Sequence, residues 1–164
     1  MMRSCLSRLI VKDLIGDIPA KDLSIQAVVS RVEDSRGRGV AVFGMPLGAL
    51  GLKRYACWVS GKKLDYVCVE WDTASIHRDH CILHELAHML LGHETLYLGD
   101  FSSWLENPLL MRGLEHAVRE EVEAERLAIN MHQFMIRRIG VKGTDSEWAT
   151  VLKWEKHIIY GLLR

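Results

Sequence analysis

The spacing of apolar residues divides the chain into segments of helical and of extended period. Apolar side chains recur every three or four residues from about residue 3 to 15, which predicts a first helix. Gly16 and Pro19 interrupt the pattern, and a second helix is predicted from about Asp22 to Asp34. In the first helix the apolar residues at helical spacing are Leu6, Leu9, Ile10 and Leu14. In the second, the residues expected to face inward are Leu23, Ala27, Val28 and Val32.

Short segments rich in β-branched and aromatic residues follow, and they are typical of strands. They cover residues 40–43, 55–59 and 64–71. Gly61, Lys62 and Lys63 favour a hairpin between the last two of these strands. The glycine-rich segment 44–52 is expected to be a loop.

Helical period returns over residues 75–91 and is expected to end at Gly92. A connection from His93 to Asn107 leads to a further helical pattern from Pro108 to about Arg138, and a last helix is predicted over 144–163. This order predicts a single α+β domain over residues 1–164, with its core at about 20–138. The helices are expected to pack on a small, three-stranded antiparallel sheet.

The charge and cysteine content narrow the possible functions. Lys plus Arg and Asp plus Glu number 21 each, which argues against a nucleic-acid or membrane surface and against DNA binding by the first two helices. No apolar run approaches the ~20 residues of a membrane span. The four cysteines lack C-x-x-C spacing and are expected to be reduced core thiols in a cytoplasmic protein: Cys5, Cys57, Cys68 and Cys81.

The helix over 75–91 contains the pattern H-E-x-x-H at residues 84–88. Four residues turn an α-helix by about 400°, so His84 and His88 share one face and can bind one Zn²⁺. Glu85 lies about 100° away from His84, close enough to act on a water molecule at the metal without binding the metal. The sequence therefore predicts a zinc site with Glu85 as general base.

A catalytic zinc site usually takes three protein ligands. The acidic helix offers Glu121 and Glu125, which lie one turn apart on a shared face. One of these carboxylates would complete the site, and its neighbour could accept a hydrogen bond from a ligating imidazole. The alternative is that these glutamates only form a solvated helix face.

Other residues near the motif are assigned differently. His93 follows the expected helix end at Gly92, so a solvated or hydrogen-bonding role is favoured over metal binding. His80 is expected to be exposed or to face a substrate cleft, and Cys81 to be a small buried residue. A side chain that stabilises the reacting carbonyl oxygen could be His116, Tyr97 or His132. Tyr97 and Trp104, in the connection from His93 to Asn107, either border the cleft or complete the core.

The blocks HELAHMLLGH at 84–93 and EVEAERLA at 121–128 resemble the ImmA/IrrE family of intracellular zinc metallopeptidases. The likeness is greatest to short actinobacterial members from toxin–antitoxin-like or phage-like operons. It implies a zincin-like fold, Glu121 as the third ligand, and a protein substrate that is a helix-turn-helix transcriptional regulator or an antitoxin. The L-L-M-P stretch that often follows the acidic helix in this family is replaced by residues 129–132, which leaves the substrate open.

The expected activity is that of a zinc metalloendopeptidase. The alternative is a catalytically silent, zinc-stabilised interaction module, or the toxin component of a toxin–antitoxin pair. Glu85 favours the enzyme, because a purely structural zinc site does not require that carboxylate.

Overall fold

The computed structural model describes residues 2–97, 99 and 116–140. These residues form four helices and one three-stranded sheet, which confirms the α+β class. The elements are α1 (Met2–Ile15), α2 (Ile25–Arg36), β1 (Val40–Met45), β2 (Ala56–Ser60), β3 (Asp65–Glu70), α3 (Ser75–Leu91) and α4 (Val118–Ile139). The predicted helix over 144–163, Trp104 and the start of the acidic helix at Pro108 lie outside the described residues, as does the side chain of Cys5.

The sheet is mixed, so the prediction of an antiparallel sheet was wrong. Its strand order is β1-β3-β2, with β3 parallel to β1 and antiparallel to β2. The predicted hairpin between β2 and β3 is present. Because the chain reverses once between β1 and β2 and again at the hairpin, β3 runs in the direction of β1 and lies between the other two strands.

The segment between β1 and β2 explains this topology. It folds over one face of the sheet and buries Leu47 and Leu52 there, together with Cys57 and Cys68. The loop predicted over 44–52 is therefore partly a continuation of β1 and partly a cover for the sheet. Cys57, Cys68 and Cys81 are buried and free, in agreement with the predicted core thiols.

The opposite face of the sheet packs on the helices. Val67 and Val69 of β3 contact the main core, to which α3 contributes Leu83 and Leu86 and α4 contributes Leu127. The helix α3 thus lies between the sheet and α4. None of the four described helices combines the length and the apolar character that crossing a bilayer requires.

The helix ends follow local chemistry. Ser24 caps α2, since its Oγ accepts the N–H of Ala27 at 3.2 Å. Gly92 ends α3 in the left-handed conformation, with φ of 70°. The helix α1 buries Ser7, Val11 and Ile15, whereas Leu6 and Leu9 are more than half exposed.

A buried ion cluster joins the sheet to the helices. The carboxylate of Asp65, which is fully buried at the start of β3, accepts hydrogen bonds from Arg36 Nη2 and Arg38 Nε, each at 2.9 Å. Arg36 also donates to the carbonyl oxygen of Met89, in the last turn of α3, at 2.8 Å. Arg38 donates to the carbonyl oxygen of Gly61 in the hairpin. Asp65 therefore fixes α2, the hairpin and α3 relative to one another.

Candidate metal centre

The antiparallel packing of α3 and α4 places two polar stripes against each other. His88 and His84 approach Glu121, and His84 and His80 approach Glu125. The later histidines of α3 face the earlier glutamate of α4 and the earlier histidines face the later one, as expected for antiparallel helices. Because each stripe repeats every four residues, every histidine has a carboxylate partner on the facing helix.

The side chains of His84, His88 and Glu121 form a group that could hold a metal ion. Their ligand atoms all lie within 4.8 Å of one another. The Nε2 atom of His84 lies 3.0 Å from Nε2 of His88 and 3.1 Å from Oε2 of Glu121, and the His88–Glu121 distance is 3.7 Å. A tetrahedral zinc site with bonds of ~2.0–2.1 Å has ligand-to-ligand distances of ~3.3 Å. These donors therefore fit three vertices of a zinc site and leave the fourth open.

Glu125 orients the first of these imidazoles. Its Oε2 accepts from Nδ1–H of His84 at 2.9 Å, which leaves the Nε2 lone pair of His84 directed at the metal position. Its Oε1 accepts from Nε2–H of His80 at 3.0 Å. Glu125 thus makes the contact expected from the sequence. His80 is buried against Glu125 and its side chain reaches the cleft, which is the second of the two placements expected from the sequence.

His93 orients the second imidazole. The Nδ1 atoms of His93 and His88 lie 2.9 Å apart, so one ring donates to the other. With His88 as the donor, its Nε2 keeps a lone pair for the metal. Nε2 of His93 lies 3.9 Å from a carboxylate oxygen of Glu123. His93 therefore has the hydrogen-bonding role that was favoured from the sequence, but its contact with His88 was not foreseen.

Glu85 faces the sheet rather than α4. Its carboxylate is buried and accepts a hydrogen bond from the backbone N–H of Trp58, on the outer edge of β2. Burial raises the pKa of Glu85, while the charges of His84 and Arg54 and the Trp58 hydrogen bond act in the opposite direction. The Trp58 contact could not be predicted from the sequence, because it depends on how α3 packs on β2.

A cleft of about 450 Å³ opens beside the metal position. The metal side is formed by His84, Glu85 and Glu121, and the opposite wall by the segment leading into β2. The lining residues are Lys53, Arg54, Tyr55, Ala56, Trp58, His77, His80, Cys81, His84, Glu85, His116, Glu121 and Glu125.

The structure distinguishes the three candidates for stabilising a reacting oxygen. His116 lines the cleft and stacks on His88, with ring centroids 3.9 Å apart. Tyr97 is mostly exposed and bridges to Ser60, and it is not among the cleft residues. His132 is buried and stacks on His80 behind the cleft. Of the three, only His116 has access to a substrate.

Cys81 is buried as expected, and burial raises the pKa of its thiol to about 12.

The charges of the metal-free site follow from its hydrogen bonds. Burial lowers the pKa of His84, but its hydrogen bonds with Glu121 and Glu125 outweigh burial and raise it to about 10. Burial lowers the pKa of His88 to about 4, although the nearby carboxylate of Glu121 opposes the shift. Burial disfavours the charged form of Glu121, yet the hydrogen bond from His84 and the proximity of His88 hold its pKa well below the usual range. Near neutral pH, one proton is therefore held on His84 between two carboxylates.

Zinc binding at pH 7 is expected to release about one proton per ion, because His84 must lose its proton to become a ligand. His88 is already neutral and Glu121 already ionised at that pH. The apparent zinc affinity should consequently rise about tenfold per pH unit between the pKa of His88, about 4, and that of His84, about 10. Calorimetric titration in buffers of different ionisation enthalpy measures the number of protons released.

The matched control is Glu125→Gln, which removes one of the two carboxylates that hold the proton on His84. This variant should release distinctly less than one proton at pH 7 and bind zinc more weakly. A wild-type titration with no proton release would contradict the charge state assigned to His84.

Comparisons of the chain with protein-family models, curated proteins and solved structures find no match. What the chain does must therefore be argued from the site. The assignment to the ImmA/IrrE family stays a prediction from residues 84–93 and 121–128.

Proposed function

We propose that the chain is a zinc-dependent endopeptidase of the ImmA/IrrE type, with His84, His88 and Glu121 as its metal ligands. One observation carries the proposal: three ligand atoms converge beside a cleft that His84 and Glu121 line, next to a buried carboxylate that is not part of the ligand group. A site that only stabilised the fold would have no use for Glu85 in this position. This arrangement favours hydrolysis over the silent interaction module.

A zinc ion bound by the three ligands would polarise a peptide carbonyl and increase the acidity of water. Glu85 accepts the proton of the attacking water at its carboxylate and then donates it to the nitrogen of the departing amine. Its raised pKa suits this double role, because the group must both take and return a proton. His116, on the same cleft, donates a hydrogen bond to the carbonyl oxygen of the substrate.

The edge of β2 suits an extended peptide. The carbonyl oxygen of Trp58 accepts from Thr95 Oγ1 at 2.6 Å, and the N–H of Ser60 donates to Leu96, so this end of the edge is already paired. The alternation of an antiparallel ladder directs the N–H and C=O of Ala56 away from β3, as it does for Trp58. Ala56 lines the cleft and can therefore pair with a substrate backbone.

The resemblance to the ImmA/IrrE family supports a protein substrate, namely a helix-turn-helix regulator or an antitoxin. A segment of such a partner would have to be extended at the cleft, so an unfolded or linker region is the expected site of cleavage. The product of a neighbouring gene is the first substrate to examine.

The test combines zinc content with cleavage. The wild type should contain about one zinc per chain and should cleave the product of the neighbouring gene, and a chelator should stop cleavage until zinc is restored. The double variant His84→Ala, His88→Ala should lose both zinc and activity. Full zinc content in the double variant would refute the ligand assignment, and zinc-loaded protein that leaves every partner and peptide intact would favour the silent module.

A further inference from the structure

The wall of the cleft carries two positive charges that the hydrolytic roles do not use. Lys53 and Arg54 precede β2 and line the cleft next to Tyr55 and Ala56. Within residues 2–97, 99 and 116–140, no carboxylate lies within ion-pair distance of either side chain. Other arginines of the same region do form ion pairs: Arg31 with Asp17, Arg36 and Arg38 with Asp65, and Arg119 with Glu123.

The described carboxylates inside the cleft make their hydrogen bonds with other groups, although the charge of Arg54 also acts on the buried carboxylate of Glu85. Glu121 approaches His84 and His88, Glu125 accepts from His80 and His84, and Glu85 accepts from Trp58. Because neither cation forms an ion pair with a carboxylate of the described residues, both can contact a ligand bound in the cleft.

Lys53 and Arg54 lie along the path that a substrate backbone paired with β2 would follow. Because the other end of the β2 edge is already paired, a peptide that pairs with Ala56 continues along the preceding segment, past Tyr55, Arg54 and Lys53. Arg54 is only partly exposed, and the neighbouring Tyr55 and His77 form an edge-to-face pair with ring centroids 4.6 Å apart. A charge in such a partly enclosed position is screened by water less than one on an open surface.

We propose that Arg54 and Lys53 form a subsite for a carboxylate, so that the enzyme prefers peptides with a negative charge close to the scissile bond. The inference rests on the proposed peptidase function and names a substrate class for that site. The carboxylate could belong to an Asp or Glu side chain or to the C-terminus of the peptide. An arginine guanidinium recognises either group through paired hydrogen bonds.

The test begins with zinc-loaded protein and a library of random octapeptides, in which cleaved bonds are identified by mass spectrometry. One cleaved sequence is then synthesised with Glu, Gln or Lys at the selected position, each with a free and an amidated C-terminus. We expect kcat/KM for the Glu peptide to exceed that for the Lys peptide by about tenfold or more, with Gln between them. Equal rates for free and amidated peptides assign the carboxylate to a side chain, and loss of cleavage on amidation assigns it to the C-terminus.

The variant Arg54→Glu should reverse the preference and favour the Lys peptide, while Arg54→Gln should abolish the preference without adding a negative charge. Lys63→Glu is the matched control, because Lys63 is exposed in the hairpin and does not line the cleft. This control should keep the wild-type ratio of Glu to Lys. Zinc content verifies that each variant retains its site.

Binding of the same peptides to zinc-loaded Glu85→Gln provides a second measurement that needs no hydrolysis. Tighter binding of the Glu peptide, lost on addition of Arg54→Gln, supports the subsite whatever the rate of cleavage. Equal cleavage or equal binding of the three peptides, with no effect of amidation, overturns the subsite and leaves the proposed function intact. Absence of hydrolysis by the zinc-loaded wild type overturns the proposed function instead. The subsite is then decided by whether zinc-loaded Glu85→Gln retains Asp- and Glu-containing octapeptides from the same library and loses them on addition of Arg54→Gln.

Discussion

Replacing Glu85 by glutamine is expected to reduce peptide cleavage by ~10² or more while zinc remains bound. Glutamine has nearly the shape of glutamate, and its side-chain oxygen can still accept the N–H of Trp58. It cannot accept the proton of the attacking water or return one to the leaving amine. Since Glu85 lies outside the group formed by His84, His88 and Glu121, the affinity for zinc should change little.

Cleavage rate, zinc content and melting temperature should be measured on the same preparations. Glu94→Gln is the matched control, because it makes the same chemical change at an exposed position just beyond α3, outside the cleft. The control should cleave at the wild-type rate. A Glu85→Gln variant that cleaves as fast as the wild type would exclude Glu85 as the general base.

Replacing Asp65 by alanine is expected to cost roughly 3 kcal/mol of the free energy of unfolding. The substitution removes a fully buried carboxylate and leaves Arg36 and Arg38, each only about a quarter exposed, without their shared partner. It also loosens the attachment of α2 and the hairpin to the last turn of α3. The measurement is urea unfolding of the zinc-loaded protein. The free energies of unfolding of the variant and the wild type are compared, and the slope of that free energy against urea concentration should be the same for both.

Asp17→Ala is the corresponding control. Its ion pair with Arg31 has a similar geometry, with 2.6 Å between the charged atoms, but both side chains are exposed. The control should lose less than about 1 kcal/mol, because water screens exposed pairs. Equal losses in the two variants would show that Asp65 does not have the structural role assigned to it.

The sequence by itself determined the local parts of the site. The helix from Ser75 to Leu91 was predicted with its observed bounds, because Gly92 stops it through backbone geometry that depends on few neighbours. The shared face of His84 and His88, and that of Glu121 and Glu125, follows from the helical repeat alone. Predictions of this kind succeed because they depend on residues within one or two turns.

The tertiary structure decided what lies opposite each of these faces. The parallel pairing of β1 with β3 depends on how the segment between β1 and β2 crosses the sheet. The pattern of apolar and polar residues within the strands does not predict the course of that segment. The same holds for α1, where helical spacing alone does not tell which apolar residues are buried: Val11 and Ile15 are buried, whereas Leu6 and Leu9 are more than half exposed.

The surroundings of the metal position are likewise products of packing. The N–H of Trp58 reaches Glu85, and His80 is buried against Glu125, only because β2 and α4 flank α3 on two sides. Lys53 and Arg54 enter the cleft for the same reason. Such contacts join residues about 30 to 45 positions apart, and hydrophobic period and helix caps act over only a few residues. The sequence could therefore indicate which residues could hold a metal ion, but the fold alone determined which residues surround them.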